Sequence, residues 1–299
     1  MKTWIILGVC LVLAVGSIVL VYQKVEQLPE AVVSAEKKSV TVNGQEVWYR
    51  EEGIGIPILV LVGWGGPTDN YFSIQDELVN KGYRVLLPDL PGLPGKTRSI
   101  FIRLDEWSNW VGEFGKAAIG EQFFIVSHSL SAQITLQYIS KEHSKCSSAI
   151  LFSPWLVSSS FQETLWRAVA KIVGIFCPIM YQDMKWVRDE KAWATALDLI
   201  SVAKEQPRVP CLILWGKRDL ARYLFTGWSE IRCETKQYSW DHSPQIRATE
   251  ELAAVIDEFI RRKMGNIFTV ITPYWYQGTW VFDDESVGLR NLSLRVFRR

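Results

Sequence analysis

Ser129, Asp219 and His242 are a hydroxyl, a carboxylate and an imidazole that stand far apart along the chain. Brought together they could do acyl chemistry. A serine hydroxyl is a poor nucleophile until a base takes its proton, an imidazole titrates near neutrality, and a carboxylate fixes the imidazole's tautomer and stabilises its cation. Each of the three follows a strand-like run. Ser129 comes after the apolar residues 123–126, Asp219 after 211–215 and the turn Gly216-Lys217-Arg218, and His242 after a short strand ending near Tyr238. Reacting groups in open α/β sheets gather at the carboxyl ends of strands, so this placement predicts one site. The turn Ser127-His128-Ser129-Leu130-Ser131 would carry the nucleophile on strained backbone between a strand and a helix beginning near Ala132. Such a turn needs small residues two places before and after the nucleophile; serine fills both places where glycine is usual. The Leu130 amide would then face a developing oxyanion.

Scarcity narrows the choice of base. Of three histidines, His128 adjoins the nucleophile, with its side chain expected to point away from Ser129, and His143 lies in a charged loop that reads as solvated surface. Asp241 is a nearer carboxylate than Asp219, but adjacent side chains diverge, so Asp219 is the expected acid. The five cysteines form no C-x-x-C pair and no metal-ligand spacing with the histidines, so neither a metal nor a cofactor is expected. They read mostly as free core thiols. With 33 basic against 32 acidic residues, composition gives a nucleic-acid partner no support.

The elements that must position these groups alternate. A hairpin over 39–42 and 46–49 turns at Asn43-Gly44, a strong short-range hairpin signal. Buried strands then read at 57–62, 83–87, 123–126, 148–152 and 211–215, with helices between them, including 106–118, and a closing helix over 249–262. This rhythm predicts an α/β fold with a mostly parallel sheet flanked by helices. Between 152 and 211 lie two amphipathic helical stretches, one opened by Ser160 and Glu163 as a capping box, the other over 189–202. They form an insertion over the carboxyl edge of the sheet, a small helical cap at about 155–207.

Four segments result. Residues 1–23 hold an uncharged apolar run, 4–22, long enough at ~1.5 Å per residue to cross roughly 30 Å of hydrocarbon, and read as a single transmembrane anchor. A cleaved signal peptide is the competing reading, with Val33-Ser34-Ala35 as its small residues. Lysines on both sides leave the positive-inside rule undecided; the N-terminal position of the anchor points to an extracytoplasmic domain. Residues 24–37 are a linker, 38–263 the main domain, and 264–299 a strand-like aromatic tail of unassigned role.

Taken with the Gly63-Trp64-Gly65 loop, Asp89-Leu90-Pro91-Gly92, the 127–131 turn, the residues 214–219 and Asp241-His242-Ser243-Pro244, this chain resembles the capped α/β-hydrolases with a serine nucleophile. The resemblance covers about 39–263. It implies Ser129, Asp219 and His242 as catalytic groups, the amides of Trp64 and Leu130 as the oxyanion hole, and hydrolysis of a carboxylic ester or thioester. Departures are Val62, where a histidine commonly precedes the first loop glycine, and the two turn serines. Dehalogenase- and epoxide-hydrolase-like relatives place an aspartate where this chain has Ser129. The cap aromatics Trp155, Phe161, Trp166, Phe176, Trp186 and Trp193 point to an apolar acyl substrate, although many would simply pack cap on body. A peptidase or acyltransferase on the same residues stays open, as does a non-catalytic scaffold or binding module at the membrane.

Overall fold

A computed structural model describes residues 37–63, 68–90, 103–141, 144–168, 205–268, 274–276 and 279–281. The 1–36 segment with its apolar run, Trp64, residues 169–204 with the second cap stretch, and His143 lie outside the described residues. Among the described residues, no helix is long and apolar enough to cross a membrane.

Eight strands form one sheet in the order β1-β2-β4-β3-β5-β6-β7-β8. β1 (Lys37–Val42) and β2 (Gln45–Glu52) are the expected hairpin, turned at Asn43 (φ 51°) and Gly44 (φ 77°). β2 pairs antiparallel with β4 (Tyr83–Pro88); from there the sheet is parallel through β3 (Ile56–Leu61), β5 (Phe123–His128), β6 (Cys146–Phe152), β7 (Cys211–Gly216) and β8 (Glu234–Tyr238). The central strands are continuous apolar runs because helices cover both faces of the sheet. Leu59, Leu61, Ile125, Val126, Leu151, Leu212 and Ile213 are all fully buried or nearly so.

The covering helices are α1 (Phe72–Asn80), α2 (Leu104–Phe114) and α3 (Ser131–Ile139), joined later by α4 over 160–168, the single turn α5 (Ala221–Leu224) and α6 (Thr249–Phe268). α2 stops earlier than expected: Gly115–Ile119 widen into a π-helical turn before Gly120 at φ 81°. There Gly115 lies so close to Phe123 that a Cβ would meet its ring at 2.5 Å. α6 continues to Phe268, and its buried face includes Leu252, Ile256, Phe259 and Ile260.

Two further expectations need correction. The first cap helix is capped one residue earlier than read: the Ser159 hydroxyl accepts from the Gln162 amide, and the Gln162 side chain reaches back to the Ser158 amide. Glu163 instead pairs with Arg167 one turn on. Cys211 and Cys233 are not free thiols but a disulfide linking the start of β7 to the residue before β8, while Cys146 is a buried free thiol. Spacing alone could not pair them, since only the parallel register of β7 and β8 brings residues 22 apart to a Cα separation of 4.9 Å. In the tail, β9 (Tyr274–Tyr276) and β10 (Thr279–Val281) pair as an antiparallel two-stranded sheet separate from the main one.

Candidate active site

β5 stays in register with β6 through Ser127 and His128, two residues beyond the expected strand end. Ser129 alone then takes up the reversal, at φ 54°, a left-handed conformation that L-residues adopt at a cost. Its amide donates to Phe152 O and its carbonyl accepts from the Trp155 and Ala132 amides, so the strained residue is fixed on three sides. The flanking serines explain themselves unequally. Ser131 donates its hydroxyl to the Val62 carbonyl, tying the start of α3 to the end of β3. Ser127 is fully buried, and its hydroxyl has no partner among the described residues. Leu130, as N-cap of α3, has one of the first-turn amides that no intrahelical carbonyl satisfies.

Asp219 reaches the site through close contact between the loops after β7 and β8. The Lys217 and Arg218 amides donate to Tyr238 O and Trp240 O, at 2.8 and 2.9 Å. Gly216 permits this approach, since a Cβ there would lie 2.3 Å from Trp240 O. The Asp219 carboxylate, almost fully buried, accepts from the Ala221 amide and stands 3.0 and 3.1 Å from His242 Nδ1. A carboxylate only accepts, so Nδ1 carries the proton and leaves Nε2 as an acceptor. Nε2 faces Ser129 Oγ at 3.1 Å.

Burial by itself would raise the Asp219 carboxyl, yet hydrogen bonds from His242, Ser153 and the Ala221 amide, with the nearby imidazole charge, hold it below the usual carboxylate value. Asp219 is thus kept ionised where an imidazolium would form. Asp241 is turned elsewhere: it accepts from the Ser243 amide and pairs with Arg247. Ser129, Asp219 and His242 are therefore brought together, Leu130 lies beside Ser129, and Trp64 lies outside the described residues.

Three residues at the site went unassigned in the sequence. Ser153, at φ 48° just past β6, supplies a hydrogen bond to Asp219; the small residue at a strand end next to Pro154 was its only signal. His128 does not reach Ser129, but it is far from idle, because its two ring nitrogens contact Tyr71 and the backbone of His242. Tyr71, placed at the head of α1, carried no signal at all. Over the imidazole of His242, Trp155 stands 5.8 Å away centroid to centroid, stacked on Phe225, which in turn stacks on Trp166 of α4.

Burial, with the neighbouring His242, pushes the His128 imidazole down to about 3 from its ordinary 6.5. The unfolded chain therefore binds more protons than the folded one between those values, so stability is present above 6.5 and is lost on acidification towards 3. The loss can reach about 1.4 kcal/mol per pH unit. Urea midpoints measured from pH 7 down to 4.5 should fall more steeply for the native chain than for His128→Gln; parallel acid limbs would contradict this origin.

A sequence model described as the alpha/beta hydrolase fold matches residues 56–174. Lipase 3 of Moraxella sp. (strain TA144) is 27% identical over 144 residues, covering 46% of this chain and 44% of the lipase. Lipase 1 of Psychrobacter immobilis is 28% identical over 144 residues, with 46% and 43% covered. The chain thus spans under half the length of the curated relatives it matches. Among solved structures, a thermophilic esterase from Thermogutta terrifontis superposes with a TM-score of 0.56 at 16% identity, over 77% of this chain and 99% of the esterase.

Proposed function

We propose that this chain, which belongs to the α/β-hydrolase fold family, is a serine hydrolase that cleaves carboxylic esters or thioesters through an acyl-enzyme on Ser129. The observation that carries this reading is His242, within 3.1 Å of both the Ser129 hydroxyl and the Asp219 carboxylate, with its proton held on Nδ1. As Ser129 Oγ bonds to the acyl carbon, its proton passes to His242 Nε2, and Asp219 stabilises the resulting imidazolium. The Leu130 amide, with that of Trp64, would receive the oxyanion. Collapse expels the alcohol or thiol with the proton from Nε2. Water, deprotonated by the same nitrogen, then releases the acid and restores Ser129. The lipase names of the two curated relatives support an ester substrate, and the aromatic stack of Trp155, Phe225 and Trp166 beside His242 supports an apolar acyl group.

Chromogenic esters of increasing acyl length, given to the full-length protein in detergent, test the reading. Turnover should rise from acetyl to medium acyl chains. No turnover of any ester, thioester or amide across a broad panel would leave the non-catalytic scaffold as the better account.

The same reading includes a membrane anchor at residues 1–23 with the hydrolase domain on the extracytoplasmic side. Support for the side comes from the Cys211–Cys233 disulfide, since such bonds persist in oxidising compartments. Full-length protein should stay in the membrane fraction through carbonate washing, and Cys211 and Cys233 should resist alkylation until reduced. Reduction should then lower stability by roughly 3 kcal/mol, the loop-closure value for cysteines 22 residues apart. A soluble protein whose Cys211 and Cys233 alkylate without reductant would contradict both placements.

A further inference from the structure

His128 is buried beneath the site, stacked on Phe152 at 4.6 Å between centroids. Its Nε2 lies 2.8 Å from the carbonyl oxygen of His242, and its Nδ1 lies 2.6 Å from the hydroxyl of Tyr71. A carbonyl only accepts, so Nε2 carries the proton, and the neutral ring must then accept at Nδ1. Tyr71 therefore donates to His128, and its oxygen is left to accept from the Gly63 amide at 2.7 Å. Every member of this chain has a fixed direction: Gly63 N–H to Tyr71, Tyr71 O–H to His128, His128 N–H to His242 O. Its two ends are the loop after β3 and the loop that carries the base, and its middle is the residue next to Ser129.

No side chain fits where the chain of bonds begins. A Cβ on Gly63 would lie 2.6 Å from His128 Nδ1 and 3.1 Å from the Tyr71 hydroxyl. Protonation of His128 would put a second N–H against a tyrosine hydroxyl that already accepts from Gly63, and the low value near 3 keeps the ring neutral through the working range.

Resting on the serine-hydrolase reading, we propose that His128 is a positioning residue, which with Tyr71 and Gly63 locks the β3 loop and the His242 loop in register against Ser129. It holds the base through its backbone and touches no reacting atom. Loss of the link leaves the groups of the site present but loosely placed, and a misplacement of about 1 Å costs about 100-fold in rate.

Tyr71→Phe tests this with little change of shape. The expected result is a kcat about 10- to 100-fold lower, with KM nearly unchanged and a proportionate slowing of phosphonate labelling at Ser129. His128→Gln can restore the donor at the Nε2 position and His128→Asn the acceptor at the Nδ1 position, so each should lose less than His128→Phe. Combining Tyr71→Phe with His128→Phe should cost little more than His128→Phe alone, because both break one link. Unchanged kcat in Tyr71→Phe, or additive losses in the pair, overturns the proposal. So does a loss accounted for wholly by a lower folded fraction, with kcat per folded molecule intact. Should the His128 variants fail to fold, Tyr71→Phe decides alone. If the native protein neither turns over esters nor labels at Ser129, the failure belongs to the serine-hydrolase reading instead.

Discussion

Ser129→Ala is expected to fold normally and to lose ester hydrolysis by a factor on the order of 10⁵ to 10⁶ in kcat. The hydroxyl stands 3.1 Å from His242 Nε2, and no other described nucleophile lies there. Ser127 is held within strand β5 and Ser131 spends its hydroxyl on Val62 O. The fold should persist because the left-handed conformation at φ 54° is set by the backbone bonds to Phe152, Trp155 and Ala132, none of which involves Oγ. Alanine adopts that conformation at a cost close to serine's, about 1–2 kcal/mol. Ser127→Ala, which removes a buried hydroxyl without a described partner, should leave the rate near native. Substantial turnover in purified Ser129→Ala would move the nucleophile elsewhere.

Asp219→Asn should cost roughly 10³- to 10⁴-fold in kcat, whereas Asp241→Asn should leave the rate close to native. The Ala221 amide would draw the new amide oxygen to itself, because that buried donor needs its acceptor. The amide nitrogen would then face His242 Nδ1 and donate to it. The imidazole would be forced into the other tautomer, with a proton on Nε2 aimed at Ser129 and no lone pair to accept the hydroxyl proton. Asp241 has no such role, since its oxygens serve Ser243 and Arg247. Equal activity in native and Asp219→Asn protein, or a large loss in Asp241→Asn, would reassign the acid.

Much of this is legible in the chain itself. The apolar runs that became β3, β5, β6 and β7 are buried on both faces, so their sequences carry the parallel sheet directly, and the ends of those runs locate Ser129 and Asp219. Asn43-Gly44 marks its hairpin because only a few residue types accept two consecutive positive φ values. What stayed hidden depends on contacts between distant elements. The Cys211–Cys233 bond follows from the register of β7 on β8, and the bonds from His128 to Tyr71 and to His242 O span 57 and 114 residues. Ser153 contributes through one hydroxyl at one unusual φ. The capping of α4 slipped by a residue because Ser158, Ser159 and Ser160 are all competent caps, and Gln162 matches Ser159. Gln162 and Trp166 also donate to Thr226 Oγ1 and Leu224 O, partners 64 and 58 residues on that local sequence does not encode.

The proposed role of Ser129 is that of the activated nucleophile of an acyl-transferring site. Treating the native protein with a fluorophosphonate and mapping the modified peptide by mass spectrometry tests it most directly, because the reagent reacts with an activated serine whatever the natural substrate is. Stoichiometric modification of Ser129 alone is expected, abolished in Ser129→Ala and strongly slowed in His242→Ala. Modification at Ser127 or Ser131, or no modification of native protein under conditions that label a control serine hydrolase, would contradict it.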